Sequence, residues 1–310
     1  MGASKIPAED IDTILSHIIP HIKQHITKQS TCPTKSPFVL ALTGLQGSGK
    51  STWTDALAST LGNKHNYKTI NLSLDDLYLD HDDLTKLRET NPSNKLLQAR
   101  GQPGTHDTTL SVSFFRSLID SKEISIPSFD KSLFNGEGGR APSPQWETRA
   151  TRDIDIVLFE GWCVGFQPLA EEKVQLRWEE AGEATSGPAY PTDTLKEHAV
   201  EHLLGMNKSL RQYCELFMGP KHFNYLLHLD TDDLVNVYGW RMEQERALRQ
   251  YKSAGMTDDE VLKFVRGYMP AYELYLNQLR KGLFAGIEGK GQLCVVLDQG
   301  RKIIAIKSVA

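Results

Sequence analysis

Residues 38–51 read Phe38-Val-Leu-Ala-Leu-Thr43-Gly44-Leu45-Gln46-Gly47-Ser48-Gly49-Lys50-Ser51. The first six residues are an apolar run of strand length. The last eight match G-x-x-x-x-G-K-[ST] at every position, and Ser51–Leu61 continues at helical spacing. Strand, glycine-rich turn and helix are the context this motif requires. The glycines let the backbone curl so that successive N–H groups converge on phosphate oxygens. The helix N-terminus adds partial positive charge. Lys50 is expected to reach the β- and γ-phosphates and to act in catalysis, and the Ser51 hydroxyl is expected to ligate Mg²⁺. The expected cradle comprises Gly44, Leu45, Gln46, Gly47, Ser48, Gly49, Lys50, Ser51 and Thr52. A chance Gly-rich turn would explain neither the full match nor its setting.

Outward from this stretch, apolar runs recur at Lys68–Leu74, Ile154–Phe159, Asn224–Asp230 and Leu293–Leu297, with a short sixth at Lys302–Lys307. Helical patterns lie between them at Leu110–Lys122, Thr194–Phe217, Thr231–Tyr251 and Asp258–Gly282. Alternation of strands and helices predicts an α/β fold of the P-loop NTPase class, a mostly parallel sheet with helices on both faces. Residues 1–310 read as one such domain. An amphipathic helix occupies the first 30 residues, with Ile11, Ile14, Leu15, Ile18, Ile19, Ile22 and Ile26 on one stripe and Pro20 expected to kink it. His17, His21 and His25 share another stripe. Without a carboxylate or thiolate to complete a ligand set, they read as a polar face rather than a metal site. Residues 80–152 are too long for a simple connection and read as an inserted substrate-binding excursion. Residues 171–192 read as an exposed polar insertion.

The chain has 310 residues, 24% of them charged, and a formal charge of −4. That balance gives no electrostatic footprint for nucleic acid and no polybasic membrane patch. No window approaches the length of a membrane span, and the N-terminus lacks a secretory core. Cys32, Cys163, Cys214 and Cys294 are far apart and read as reduced thiols. The expected location is the cytoplasm, with passage into the nucleus left open. The expected partner is a small molecule, with neither nucleic acid nor membrane; oligomeric state is unreadable.

Two carboxylates sit where chemistry needs them. Asp75, beside Asp76, follows the second strand in Ser73-Leu-Asp-Asp-Leu-Tyr78, a strand expected to adjoin the P-loop strand. Glu160 ends the third strand. Ligands in such sheets bind beyond the carboxyl ends of strands. An acid ending an apolar strand suits a Mg²⁺ site, and a second could take the proton of an attacking hydroxyl. For Asp76 the competing reading is a helix cap.

Several blocks resemble D-glycerate 3-kinase and its fungal ATP-dependent kinase relatives, within the wider phosphoribulokinase, uridine kinase and pantothenate kinase group. They are Ser73-Leu-Asp-Asp-Leu-Tyr78, Arg100-Gly-Gln-Pro-Gly-Thr-His-Asp107, Pro127-Ser-Phe-Asp-Lys-Ser132, Phe159-Glu-Gly-Trp-Cys-Val-Gly-Phe166, Tyr238–Glu245 and Phe264–Tyr272. The resemblance implies ATP with Mg²⁺, a general base at Asp75, Glu160 beside the metal, and a kinase that phosphorylates glycerate or a related hydroxy acid. It implies an acceptor pocket lined by Asp76, Tyr78, Arg100, His106, Asp107, Asp130, Lys131 and, from Gly138-Gly-Arg140, Arg140. Leu77 departs from the group's usual aromatic. An acceptor bearing a carboxylate would need such cations, and Arg offers a bidentate fork. Ordinary surface charge is the competing reading for Arg140. The resemblance also implies a lid over residues 231–255 whose Arg241, rather than Arg246, meets the transferring phosphate. A solvated, salt-bridged helix is the competing reading there. An ATP-binding regulatory protein with little or no kinase activity is the alternative, but such a switch has no need of the acceptor-side blocks. A GTPase lacks support because no N-K-x-D motif occurs. Finally, the turn Asp298–Lys302 is expected to face the adenine.

Overall fold

The structure is a computed structural model that describes residues 6–32, 35–182, 190–252 and 255–309. Its centre is the buried apolar run Phe38–Gly44, strand β1, in which every residue is buried. A strand buried on both faces needs neighbours on both edges. β1 pairs in parallel with Ile156–Gly161 (β7) on one side and Tyr225–Thr231 (β8) on the other. Thr69–Ser73 (β2) extends the sheet beyond β7, and Gly291–Leu297 (β9) beyond β8. Ile303–Val309 (β10) closes that edge antiparallel to β9, giving the order β10-β9-β8-β1-β7-β2. The sheet is thus mostly parallel with helices around it, as expected of the α/β class. One expectation fails. β2 does not adjoin β1, because β7 lies between them, so Asp75 stands one strand further out than its sequence position suggested.

Helix α1 (Ala8–Gln29) buries Ile11, Ile14, Leu15, Ile18 and Ile22 and runs through Pro20 without interruption. It packs with α2 (Lys50–His65) and against β1 and β9. Of the histidine stripe, His17 is exposed and the other two pack: His25 Nε2 lies 2.9 Å from the Ser36 carbonyl, and the His21 ring meets Tyr225 edge-on. On the excursion lie α3 (His81–Thr90), α4 (Thr108–Asp120) and two small antiparallel pairs. Glu123–Ile126 (β3) pairs with Glu147–Ala150 (β6), and Phe129–Asp130 (β4) with Gly139–Arg140 (β5). Phe115 of α4, Phe159, Phe217 and Phe223 form one aromatic cluster that seats the excursion on the sheet.

The first half of the expected exposed insertion is instead a packed helix, α5 (Glu171–Glu180). Val174 is fully buried, and Trp178 donates to the His198 carbonyl at 2.9 Å. Residues 183–189 of that segment lie outside the described residues. Helix α6 (Val200–Tyr213) begins six residues later than its periodicity suggested and leads into a π-turn at Cys214–Met218. α7 (Asn236–Lys252) likewise starts after, not at, Thr231, which completes β8. α8 (Asp258–Arg266) opens with a capping box from Thr257 and Glu260. The chain then passes through α9 (Met269–Ala271), a π-turn at Tyr272–Leu276 and α10 (Asn277–Arg280). Arg280 forms a bidentate pair with buried Asp230 at 2.7 and 2.8 Å. Among the described residues, no helix is long and apolar enough to cross a membrane.

Candidate active site

The loop between β1 and α2 turns through two glycines at positive φ, Gly47 (79°) and Gly49 (88°). At Gly47 a Cβ would also fall 2.7 Å from the Trp240 Cβ, so the P-loop and the start of α7 are packed together. Two long-range hydrogen bonds fix the loop from outside, and two more tie the start of α7 to the turn Asp298–Lys302. Tyr272 accepts from the Gln46 N–H at 3.1 Å, Arg301 donates to the Gly47 carbonyl at 2.7 Å and to the Trp240 carbonyl at 2.9 Å, and Trp240 donates to the Gln299 carbonyl at 2.7 Å. The turn expected to face the adenine therefore sits against the P-loop. Lys50 donates to the Gly44 and Leu45 carbonyls at 3.0 and 3.2 Å. Burial lowers its pKa, opposed by the charges of Glu160 and Asp75. The Ser48 hydroxyl is buried with no hydrogen-bond partner, a polar atom suited to a phosphate oxygen.

Register explains the neighbouring carboxylate. Ser73 of β2 pairs with Glu160 of β7, and the Ser73 hydroxyl donates to Glu160 Oε1 at 2.7 Å. Burial raises the Glu160 pKa, while Lys50 and that hydrogen bond pull it down. Ser51, Thr54, Asp55, Asn71, Ser73, Asp76 and Glu160 ring a cleft of about 130 Å³. Its side-chain donors are oxygens with Asn71 the one amide, a set that suits a hard cation such as Mg²⁺ and not a thiophilic metal.

The turn after β2 presents Asp75 and Asp76 differently. Asp76 closes a capping box, accepting from the Ser73 N–H and, across to β4, from the Phe129 N–H, both at 3.2 Å. Burial pushes its pKa up to about 6. Asp76 thus has the capping role that competed with an acceptor contact in its reading, and it also lines the cleft with Ser51 and Glu160. Asp75 accepts from the Tyr78 hydroxyl at 2.8 Å and from Lys131 at 2.5 Å. Burial would raise its pKa, but the Lys131 charge and these hydrogen bonds bring it below the usual value.

The Arg100–Asp107 block forms the wall beside Asp75. Tyr78 stacks on His106 at 4.4 Å and meets Phe129 at 5.3 Å. Tyr213 accepts from the Gly104 and His106 N–H groups at 2.7 and 3.0 Å and lies 3.0 Å from His106 Nδ1. His106 Nε2 is buried without a partner, and burial drops the ring's pKa to about 3, so it stays neutral. Asp107 caps α4 through Leu110 N–H at 2.8 Å and pairs with Arg140 at 2.9 Å. Arg140 is therefore no stray surface charge. Arg100 donates to the Gly136 and Glu137 carbonyls, anchoring that loop. Asp130 is exposed and accepts from the N–H and hydroxyl of Ser132 at 2.8 and 2.6 Å.

On α7, Arg241 lies near enough to Lys50 to depress its pKa. It is ion-paired with Glu245, and its guanidinium lies 4.7 Å over the Phe264 ring. Its Nε is buried without a partner. Arg246 and Arg249 are instead held by Asp258 at 2.5 and 2.7 Å. Residues 253 and 254 of the expected lid lie outside the described residues.

Sequence reading missed Ser73, Tyr213, Tyr268, Tyr272 and Arg301. Each acts through a partner between 87 and 254 positions away where hydrogen-bonded, so no local spacing signals it. Tyr268 is placed by crowding: a Cβ on Gly101, whose φ is +142°, would sit 2.6 Å from its hydroxyl.

No protein-family model matches the chain. It is 36% identical over 267 residues to a Schizosaccharomyces pombe protein named "Uncharacterized kinase mug58", an alignment spanning 86% of this chain and 90% of that one. To "Probable ATP-dependent kinase TDA10" of Saccharomyces cerevisiae it is 32% identical over 308 residues, spanning 96% and 97%. Its fold matches the solved D-glycerate 3-kinase from Cryptococcus neoformans with a TM-score of 0.83 and 29% identity, covering 97% of this chain and all of that one. The P-loop, the carboxylates at two strand ends and these likenesses over nearly the full length agree: the chain belongs to the D-glycerate 3-kinase-like family of P-loop kinases, ATP-dependent enzymes that phosphorylate an alcohol group.

Proposed function

We propose that this kinase transfers the γ-phosphoryl group of ATP, with Mg²⁺, to a hydroxyl of a small hydroxy acid such as glycerate. The observation that carries the reading is the placement of Asp75. It stands beyond the sheet edge that holds Lys50 and Glu160, under an excursion that contributes Lys131, Arg140 and Arg100. In this reading Gly44–Thr52 cradles the phosphates, and Lys50 neutralises charge on the β- and γ-oxygens. Ser51 and Glu160 would hold Mg²⁺, which would offset the phosphate charge, and Ser73 orients Glu160 for that role. Asp75 orients the acceptor hydroxyl in line and takes its proton. Arg241 on the lid, residues 231–255, releases the partnerless Nε toward phosphate and helps exclude water. Tyr78, His106 and Asp107 shape the acceptor pocket of the 80–152 excursion. The hydroxy-acid substrate of the Cryptococcus neoformans enzyme supports the same class here. Four free cysteines suit a cytoplasmic setting.

The test is ADP release measured across hydroxy acids, sugars and nucleosides, with Lys50→Ala as control. Turnover confined to hydroxy acids, and lost in a well-folded Lys50→Ala variant, is expected. Preference for a nucleoside or sugar would overturn the assignment of the acceptor.

A further inference from the structure

Both oxygens of Asp75 are engaged, and the two partners differ in kind. Tyr78 is buried and clamped between the His106 and Phe129 rings, so its hydroxyl is a fixed donor to Oδ1. Lys131 sits on the turn after β4 with its side chain 55% exposed. Among the described residues, its ammonium makes no hydrogen bond except the one to Asp75 Oδ2. The other two cations expected at the acceptor pocket are committed elsewhere: Arg140 to Asp107 and the Tyr78 carbonyl, Arg100 to the Gly136 and Glu137 carbonyls. The Lys131 ammonium at 2.5 Å fills one of the two lone pairs of Oδ2, and its adjacent positive charge favours the ionised carboxylate, so Asp75 is a poor proton acceptor while Lys131 stays in place. For Asp75 to work as a base, Lys131 has to leave.

We propose that Lys131 masks Asp75 until the carboxylate of a bound hydroxy acid draws its ammonium away, so that the base is exposed only when the acceptor is in place. The proposal rests on the hydroxy-acid reading above and extends it to the order of events. The acceptor carboxylate pairs with Lys131, and the acceptor hydroxyl takes its place as donor to Asp75 Oδ2. The acceptor oxygen then bonds to the γ-phosphorus as the β,γ-bridging O–P bond breaks. ADP departs with that electron pair, and the hydroxyl proton ends on Asp75. A half-exposed lysine suits the role, because its ammonium exchanges one carboxylate partner for another and keeps a counter-charge throughout. With the acceptor absent, the masked base leaves water unactivated, which limits futile hydrolysis of ATP.

Water is the acceptor that carries no carboxylate, so ATP hydrolysis without added acceptor is the direct probe. It is measured on the wild type, Lys131→Met, Lys131→Arg and the Lys131→Met, Asp75→Asn double variant, with thermal melting and ATP affinity as controls. Lys131 is exposed, so its substitution leaves the fold in place. Lys131→Met is expected to hydrolyse ATP about tenfold faster than wild type, within the range of a general base. The double variant loses that gain, and Lys131→Arg, which keeps a cation on Asp75, hydrolyses ATP more slowly than Lys131→Met. Unchanged hydrolysis in Lys131→Met overturns the proposal; slower hydrolysis overturns it too and places Lys131 on the γ-phosphate. If hydrolysis rises while no hydroxy acid is phosphorylated, the mask stands and the acceptor assignment fails.

Discussion

Glu160 shows how one side chain is set for its task by its surroundings. Burial raises its pKa, and the Lys50 charge and the Ser73 hydroxyl hold the ionised form. The hydroxyl does so because Ser73 and Glu160 are in register across β2 and β7. A carboxylate so held, at the rim of an oxygen-lined cleft with Ser51, suits a divalent cation. Glu160→Gln keeps the shape and removes the charge. The Mg²⁺ concentration for half-maximal velocity is expected to rise about 10–100-fold, the size of effect seen when a metal's carboxylate support is removed. An unchanged Mg²⁺ titration would leave Glu160 a purely structural role. Asp76, its neighbour in the cleft, is set apart from Asp75 by hydrogen bonds from the backbone N–H groups of Ser73 and Phe129, the capping that its sequence reading held open.

At the scale of elements, the site depends on loops tied down by distant hydroxyls. The Arg100–Asp107 loop hangs on Tyr213 of α6, whose hydroxyl accepts from both Gly104 and His106. Tyr213→Phe would leave those buried N–H groups without an acceptor, a loss of about 1–3 kcal/mol. Urea unfolding should show that loss, with a raised acceptor KM and unaltered ATP affinity; wild-type stability would show that the loop is held otherwise. The motif Arg100–Asp107 was legible as a block, yet its anchor was not, because 107 residues separate His106 from Tyr213. The P-loop was legible in full, since all its chemistry lies in consecutive residues. Its packing against Trp240 and its tether to Arg301 were not, for the same reason of separation. Element ends moved where a polar turn carried helical spacing, as before Val200 and Asn236.

For the whole molecule, period and polarity identified five parallel strands and the edge strand within a few residues of their ends. Strand order was not legible, because an apolar run buried on both faces does not say which neighbour it takes. That is why β2 proved to be one place away from β1, with β7 between. The order matters for function: it puts Glu160 beside the P-loop and Asp75 one strand further out, where Lys131 of the excursion reaches it. The account turns on Asp75 as the group that receives the acceptor's proton. The most direct measurement is kcat for Asp75→Asn with a hydroxy acid that the wild type phosphorylates, alongside ATP affinity by calorimetry and the same pair for Asp76→Asn. The account predicts that Asp75→Asn lowers kcat by about 10²–10⁴-fold with ATP affinity close to wild type, and that Asp76→Asn does less. Wild-type kcat in a folded Asp75→Asn enzyme would contradict it.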